Sequence, residues 1–326
     1  MGTGNITQKD IAEKLGVSIN TVSRALRDST EISSELKKKI KQLANEMGYI
    51  PNSVANFMRG GKTNFIGIVV NSLTNPYYTL CLDRLVYQLN KNEYSPFILV
   101  SKDNVFDYKT LTKLIMNHVC AIITFSEMDL NVINYFMQNE EMPVISVGIP
   151  PQKDNIDAIY ADDIIFGQIA AEEFFKSNRK HPCYIGTDIE EISKLRKDKY
   201  FSLIRDKGFD INEYNVIFKE RESKKSELLS LFKQNKNDFF YCFNDEIASF
   251  VSEILEDNDI KDVTIYGVDG TPKYLPICRK FNSIGYSFNR IVEACTNILF
   301  KKLNGDKNIY QIKYEPYLVY EKSSNK

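Results

Sequence analysis

Histidine is almost missing from this 326-residue chain. His118 and His181 are the only two, so a histidine-rich metal site is excluded. The six cysteines, Cys81, Cys120, Cys183, Cys242, Cys278 and Cys295, are scattered, and no two have Cys-x-x-Cys spacing. That argues against a zinc site or a disulfide framework and for reduced thiols in a core. No segment approaches the ~20 consecutive apolar residues of a membrane span, and Met1 to Asp10 hold no apolar leader, so the expected location is the cytoplasm. Low-complexity tracts and short-period repeats are also missing. Neither Gly-x-Ser-x-Gly nor Gly-x-Gly-x-x-Gly occurs, and neither histidine has a triad context. An enzyme is therefore not expected, nor a cofactor or a metal.

What is present is ordinary for a globular protein: 43% hydrophobic and 26% charged residues, over a length that allows two or three domains. The net charge of −1 hides an asymmetry. Residues 1–62 carry ten Lys and Arg against six Asp and Glu, a balance of +4 that leaves −5 for the remainder. A basic head on an acidic body is a weak pointer to an anionic partner at the head.

Along the chain, Thr7 can N-cap a short helix over residues 7–15, with Asp10 three positions on in a capping-box arrangement, and Gly16 ends it. Ser18 caps a second helix, Ile19 to Leu26, which turns Val22, Ala25 and Leu26 inward. It leaves Asn20, Thr21, Ser23, Arg24 and Arg27 outside. Two short helices joined at a glycine turn make a helix-turn-helix. A third helix, Ser34 to Met47, buries Leu36, Ile40, Leu43, Ala44 and Met47 before Gly48 and Pro51 stop it. Asn52 to Met58 reads as a very short helix that orders only when docked, because seven residues cannot hold a helix alone.

From Asn64 the pattern changes to strand-helix alternation. Phe65 to Val70 reads as a buried parallel strand. Further strands are expected at Ser95–Val100, Cys120–Phe125, Pro143–Val147, Ala158–Tyr160, Pro182–Gly186, Asn215–Phe218, Phe239–Phe243 and Val263–Val268. Helices are expected between most of them, among them Tyr77–Asn92, Asp163–Ser177 and Asp245–Asp257. The fold class is thus an all-α helix-turn-helix head followed by an α/β core of two parallel-sheet lobes.

Ile6 to Arg27, reading ITQKDIAEKLGVSINTVSRALR, resembles the LacI/GalR family of repressors. The resemblance continues through Met47 to Ala55 and Arg59 to Gly67. It extends to Asn75-Pro76-Tyr77-Tyr78, Asp162 to Ala170, Phe243 to Ala248, Gly267 to Gly270 and, more weakly, Glu315 to Val319. It implies a helix-turn-helix domain at 1–62, with a hinge helix at about 52–59, and a core at 63–326 like periplasmic sugar-binding proteins. Lobe 1 would take about 63–160 plus 290–319, and lobe 2 about 161–289 plus 320–326.

The resemblance further implies double-stranded operator DNA as a partner, read by a homodimer in the major groove. Ile19, Asn20 and Arg24 match its base-reading positions; their chemistry suits a thymine methyl, an adenine edge and a guanine edge. Thr7, Ser18, Thr21, Ser23 and Asn52 suit phosphate contacts, which fix register. The same residues also read as ordinary caps and surface polar groups. Ala55 and Met58 fall in the minor-groove hinge, where Met58 stands at the position of a wedging leucine; Phe57 replaces a polar residue there. Gly60-Gly61-Lys62-Thr63 ends like a P-loop, but Asn56 stands where that motif needs glycine and no strand precedes it.

In the core, the resemblance implies a small effector, a sugar or a derivative, between the lobes. Ligands of open α/β sheets sit at the carboxyl ends of strands. Asn75, Tyr77, Tyr78 and Ser126 from lobe 1, with Asp162, Asn244, Asp269, Tyr286 and the motif-matched Arg196, are the candidates. A structural reading stands beside each: Asp162 and the Asn244-Asp245 pair can cap helices, and Asp269 can cap a turn. The chain departs from the family pattern at Lys199-Tyr200, Tyr286 and Val292. No leucine heptad precedes Lys326, so a tetramer-forming extension is not expected. Two competing classes are a cytosolic sugar-binding module without DNA function, and a DNA-binding regulator whose core ignores effectors.

Overall fold

The structure is a computed structural model that describes residues 6–50, 63–187, 191–216, 221–275 and 280–319. The chain divides into two compact units, Met1–Thr63 and Asn64–Lys326.

Among the described residues, the first unit contains three helices: α1 (Gln8–Leu15), α2 (Ile19–Leu26) and α3 (Ser34–Glu46). Each has a local reason to start where it does. Thr7 and Asp10 form a reciprocal capping box on α1, Ser18 caps α2 through the Thr21 amide, and Ser33 caps α3 through that of Leu36. Gly16 closes α1 in the left-handed conformation at φ +66°, so the chain can turn tightly into α2. Ile11, Val22, Ala25 and Ile40 are fully buried and lock the three helices together.

The second unit opens with β1 (Phe65–Val70), α4 (Pro76–Lys91), β2 (Ser95–Val100), β3 (Val105–Phe106) and α5 (Tyr108–Met116). Next come β4 (Ala121–Thr124), β5 (Glu127–Met128), α6 (Leu130–Gln138), β6 (Val144–Val147) and β7 (Asp157–Ala161). The chain then crosses to a second lobe with α7 (Asp163–Lys176), β8 (Pro182–Gly186), α8 (Glu191–Asp206), β9 (Asn212–Asn215) and α9 (Arg221–Gln234). That lobe continues with β10 (Phe239–Cys242), α10 (Asp245–Asp257), β11 (Thr264–Asp269) and β12 (Asn282–Gly285). The chain returns with α11 (Phe288–Leu303) and β13 (Gln311–Tyr314), then ends its described course in β14 (Tyr317–Val319).

Lobe 1 is a six-stranded parallel sheet in the order β13-β7-β6-β4-β1-β2, and lobe 2 a six-stranded sheet in the order β14-β12-β11-β10-β8-β9. Among the described residues, only β14 runs antiparallel in the second sheet. Both sheets are covered on both faces. In β1, Ile66, Ile68 and Val70 pack with Cys81, Leu85 and Leu89 of α4, while Val69 packs with Leu111 and Leu114 of α5. That is the period-two division expected of a strand between two helical layers.

Two expectations are corrected. The strand placed at Asn215–Phe218 is found at Asn212–Asn215, a polar segment at the edge of the second sheet where one side of the ladder faces no strand. The lobe boundary after residue 319 is also wrong: Tyr317–Val319 already pairs with β12 in lobe 2. The hinge helix, with Asn52, Ala55, Phe57 and Met58, and also Cys278, lie outside the described residues. Cys81, Cys183, Cys242 and Cys295 are buried. Among the described residues no helix is long and apolar enough to cross a membrane.

Candidate nucleic-acid interface and ligand cleft

In the head, α2 sets its apolar residues against α1 and α3, so its remaining side chains face out. Ile19 is 44% exposed, an unusual setting for a branched aliphatic residue in so small a unit, and Asn20 and Arg24 are exposed near it. The Arg24 guanidinium is paired with the Glu31 carboxylate, and both side chains lie largely in solvent. Thr7 is engaged with Asp10, its amide and hydroxyl each 2.7 Å from the Asp10 Oδ2. Ser18 and Thr21 share a hydroxyl contact of 2.8 Å beside the Ser18 cap. Ser23 departs from expectation: it is buried at 7% exposure, and its Oγ accepts a 2.9 Å hydrogen bond from Arg27. It faces inward because Arg27, one turn later, folds its guanidinium back over it. Asn52, Ala55 and Met58 cannot be placed, being outside the described residues.

In the core, a cavity of about 370 Å³ lies between the lobes at the carboxyl ends of the strands. Lobe 1 supplies Asn71, Asn75, Tyr77 and Tyr78 from the β1–α4 corner, Phe125 after β4 and Gly148 after β6. Lobe 2 supplies Arg196 from α8, Phe243 and Asn244 from the β10–α10 corner, Asp269 at the end of β11, and Tyr286 after β12. Seven of the nine expected residues meet here: Asn75, Tyr77, Tyr78, Arg196, Asn244, Asp269 and Tyr286. Asn75 and Asn244 are also the N-caps of α4 and α10, so each caps a helix and lines the cavity.

Ser126 and Asp162 are not brought to the wall, which corrects the expectation for both. Ser126 is fully buried one layer behind it. Its hydroxyl donates to the Oδ1 of Asn71, which also accepts from the Ser101 hydroxyl at 2.9 Å. Asn71 in turn donates to the Tyr78 hydroxyl at 3.0 Å. Ser126 therefore holds Asn71, and Asn71 orients Tyr78. Asp162 caps α7 through the Ile164 amide at 3.1 Å and pairs with Lys313 at 2.7 Å. Its carboxylate is spent on the chain crossing.

Arg196 is the most constrained group in the cleft. Its Nε donates to Asp163 Oδ1 and its Nη1 to the Phe243 carbonyl, both at 2.8 Å. The guanidinium lies 4.8 Å from the Phe166 ring centroid and 4.9 Å from that of Phe243. Burial pushes the Asp163 carboxyl up while Arg196 opposes that shift; the guanidinium itself is held yet more firmly protonated by Asp163. Since arginine does not lose its proton in proteins, the guanidinium is charged and its bond to Asp163 is charge-assisted.

Asp269 sits at φ +119°, a strained setting for a residue with a side chain, and lines the cleft at 7% exposure. Behind it, buried Asp245 accepts from the Thr271 amide at 2.7 Å, the Thr271 hydroxyl at 2.9 Å and the Ser283 hydroxyl at 2.6 Å. Burial raises the Asp245 carboxyl and these donors oppose the shift. The network fixes the turn that follows β11. Gly285 belongs to the same fit: a Cβ there would lie 2.4 Å from the Gly270 Cα. The sequence reading missed Asn71, Phe125, Gly148 and Phe243. Asn71, Gly148 and Phe243 each follow a strand directly, so the carboxyl-end rule could have found them.

The family model of bacterial regulatory proteins, lacI family, matches residues 7–52. The chain is 22% identical over 327 residues to the HTH-type transcriptional repressor PurR of Histophilus somni, covering 97% of this chain and 98% of that protein. The structure of the lac repressor dimer bound to operator and the anti-inducer ONPF aligns with a TM-score of 0.79 at 16% identity, over 98% of this chain and 99% of that one. A LacI family transcriptional regulator from Enterococcus faecium with bound ribose aligns with a TM-score of 0.68 at 16% identity, over 79% of this chain and 97% of that one. The head, residues 7–52, thus matches the lacI family of bacterial regulatory proteins, and the similarity to regulators such as PurR runs over nearly the whole chain.

Proposed function

We propose that this protein is a sequence-specific DNA-binding transcriptional repressor whose operator affinity is controlled by a small molecule bound between the core lobes. The observation that carries the reading is α2. A tightly packed three-helix unit leaves an isoleucine, an asparagine and an arginine outward on the second helix of a helix-turn-helix. Ile19, Asn20 and Arg24 carry the base contacts, with Thr7, Ser18 and Thr21 at phosphates. Asn52, Ala55 and Met58 are assigned to the hinge on the strength of the family motif. Ser23 is left out because its hydroxyl is turned inward to Arg27.

The assembly is a homodimer on a pseudo-palindromic site in the cytoplasm, since two-fold protein symmetry suits two half-sites. The lac repressor dimer bound to operator supports this by its matching fold. The effector is a sugar or a sugar derivative, held by Asn75, Tyr77, Tyr78, Arg196, Asn244, Asp269 and Tyr286. Aromatic faces, amide groups and a carboxylate suit a polyhydroxyl ring, and the cavity volume fits a small ligand. Coupling between the sites is reciprocal, so operator DNA changes effector affinity by the same factor as effector changes operator affinity.

The experiment is competition binding with Arg24→Ala. Loss of one bidentate base contact costs about 1–3 kcal/mol of discrimination and leaves most non-specific affinity in place. An unchanged sequence preference sinks the assignment of Arg24 as a base reader.

A further inference from the structure

The charge balance of the cleft wall restricts its occupant further than shape does. Four ionisable side chains other than tyrosine line it: Asp103, Glu127, Asp269 and Arg196. The one cation among them is held from behind, where Arg196 donates its Nε–H to Asp163 and an Nη1–H to the Phe243 carbonyl. Among the described residues, no lysine or histidine lines the wall. Lys102 approaches Asp103 at 3.9 Å, with both side chains at least 80% exposed, so Asp103 acts from the solvated rim. Among the described residues, Asp103, Glu127 and Asp269 therefore outnumber the one cation of the wall.

The wall also holds aromatic surface. Tyr77 is 8% exposed and lines the cavity, its buried hydroxyl lying beside that of Tyr286. Phe125, Tyr78 and Phe243 add aromatic faces, which accept the apolar side of a ring or an ammonium group.

Resting on the reading of the cleft as an effector site, we infer that it takes an uncharged or amine-bearing polyhydroxyl compound and rejects phosphorylated and carboxylated ones. Like charges in a partly enclosed space penalise an anion, and a single arginine already paired with Asp163 offsets only part of that penalty.

The test uses the full chain and matched probes: ribose, glucose, galactose and cellobiose; ribose 5-phosphate, glucose 6-phosphate, glucuronate and galacturonate; glucosamine and galactosamine. Thermal shift finds binders and calorimetry ranks them. At least one neutral or amine-bearing member binds, and its phosphorylated or carboxylated counterpart binds at least about tenfold more weakly. In the double variant Asp103→Asn, Glu127→Gln at the exposed rim, the ratio of neutral to anionic affinity falls about tenfold. An anion that binds as tightly as its neutral parent overturns this inference and leaves the effector reading standing. A ratio unchanged in the double variant overturns the electrostatic cause. A panel with no binder at all overturns the effector reading and this inference with it.

Discussion

Glu246 occupies the first turn of α10, where a negative charge faces the positive end of the helix dipole, yet burial pushes its carboxyl from 4.5 up to about 7. Arg221, 3.8 Å away, opposes the shift without cancelling it. The folded protein thus holds this proton more tightly than the unfolded chain does. The stabilisation is fully present below about 4.5, and it is lost as pH rises through 7. Glu246→Gln removes that dependence. Discounted for partial solvent access, the variant gains about 1 kcal/mol, or roughly 2–4 °C, at pH 8 and almost nothing at pH 4.5. Melting curves across pH 4.5–8 check it; a gain that is equal at both ends contradicts it.

Individual residues were legible in the sequence where one physical role sufficed. Asn75 and Asn244 follow strands and start helices, so either role led to the same place. Asp162 has the same sequence signature but lies beside Lys313, a long-range pairing that local pattern does not carry. Ser126 failed for a similar reason: its partners Asn71 and Ser101 come from other strand ends, and together they draw it one layer inward. Arg196 was placed by its motif alone. Nothing in composition or spacing foretold its position between the Phe166 and Phe243 rings.

At the scale of elements, the contact between α7 and α8 is set by Gly167. A Cβ there would lie 2.2 Å from the Arg196 carbonyl oxygen and 3.0 Å from the Tyr200 amide nitrogen. Backbone, not a flexible side chain, fills that space. Gly167→Ala should gain about 1 kcal/mol of helix propensity. It should lose more than that by forcing α8 away, since overpacking costs about 1–3 kcal/mol in ordinary cases and backbone is the hardest obstacle to move. The expected outcome is a Tm lowered by about 2–4 °C and a weaker cleft, because the displaced segment carries Arg196. A variant as stable as the parent, with unaltered ligand affinity, refutes the close-packing account. Capped helices and fully buried strands such as β8 and β10 were readable, since caps and apolar runs are local signals. β9 was misplaced because an edge strand reads as polar, Asn-Glu-Tyr-Asn, while the apolar run Val216 to Phe218 drew the expectation forward.

At the scale of the whole molecule, the two core lobes are joined by three chain crossings and by a side-chain contact that the sequence did not reveal. Arg84 of α4 in lobe 1 donates to Asn289 Oδ1 at 2.8 Å, and its guanidinium lies 5.0 Å from the ring centroid of Tyr274 in lobe 2. A cation–π contact of this kind contributes about 0.5–2 kcal/mol according to how much water it excludes. If ligand binding draws on the same lobe arrangement, Arg84→Ala changes cleft affinity by about fivefold without touching the ligand. Calorimetry against the best binder of the probe panel measures it, and an unchanged Kd removes Arg84 from the coupling.

The central claim is that α2 reads DNA sequence. Its most direct test is selection from a random duplex library by the full chain, run in parallel with Arg24→Ala. The account predicts enrichment of an inverted repeat by the parent, with preference lost at one position of each half-site in the variant. No enriched sequence, or the same sequence from both proteins, would contradict it.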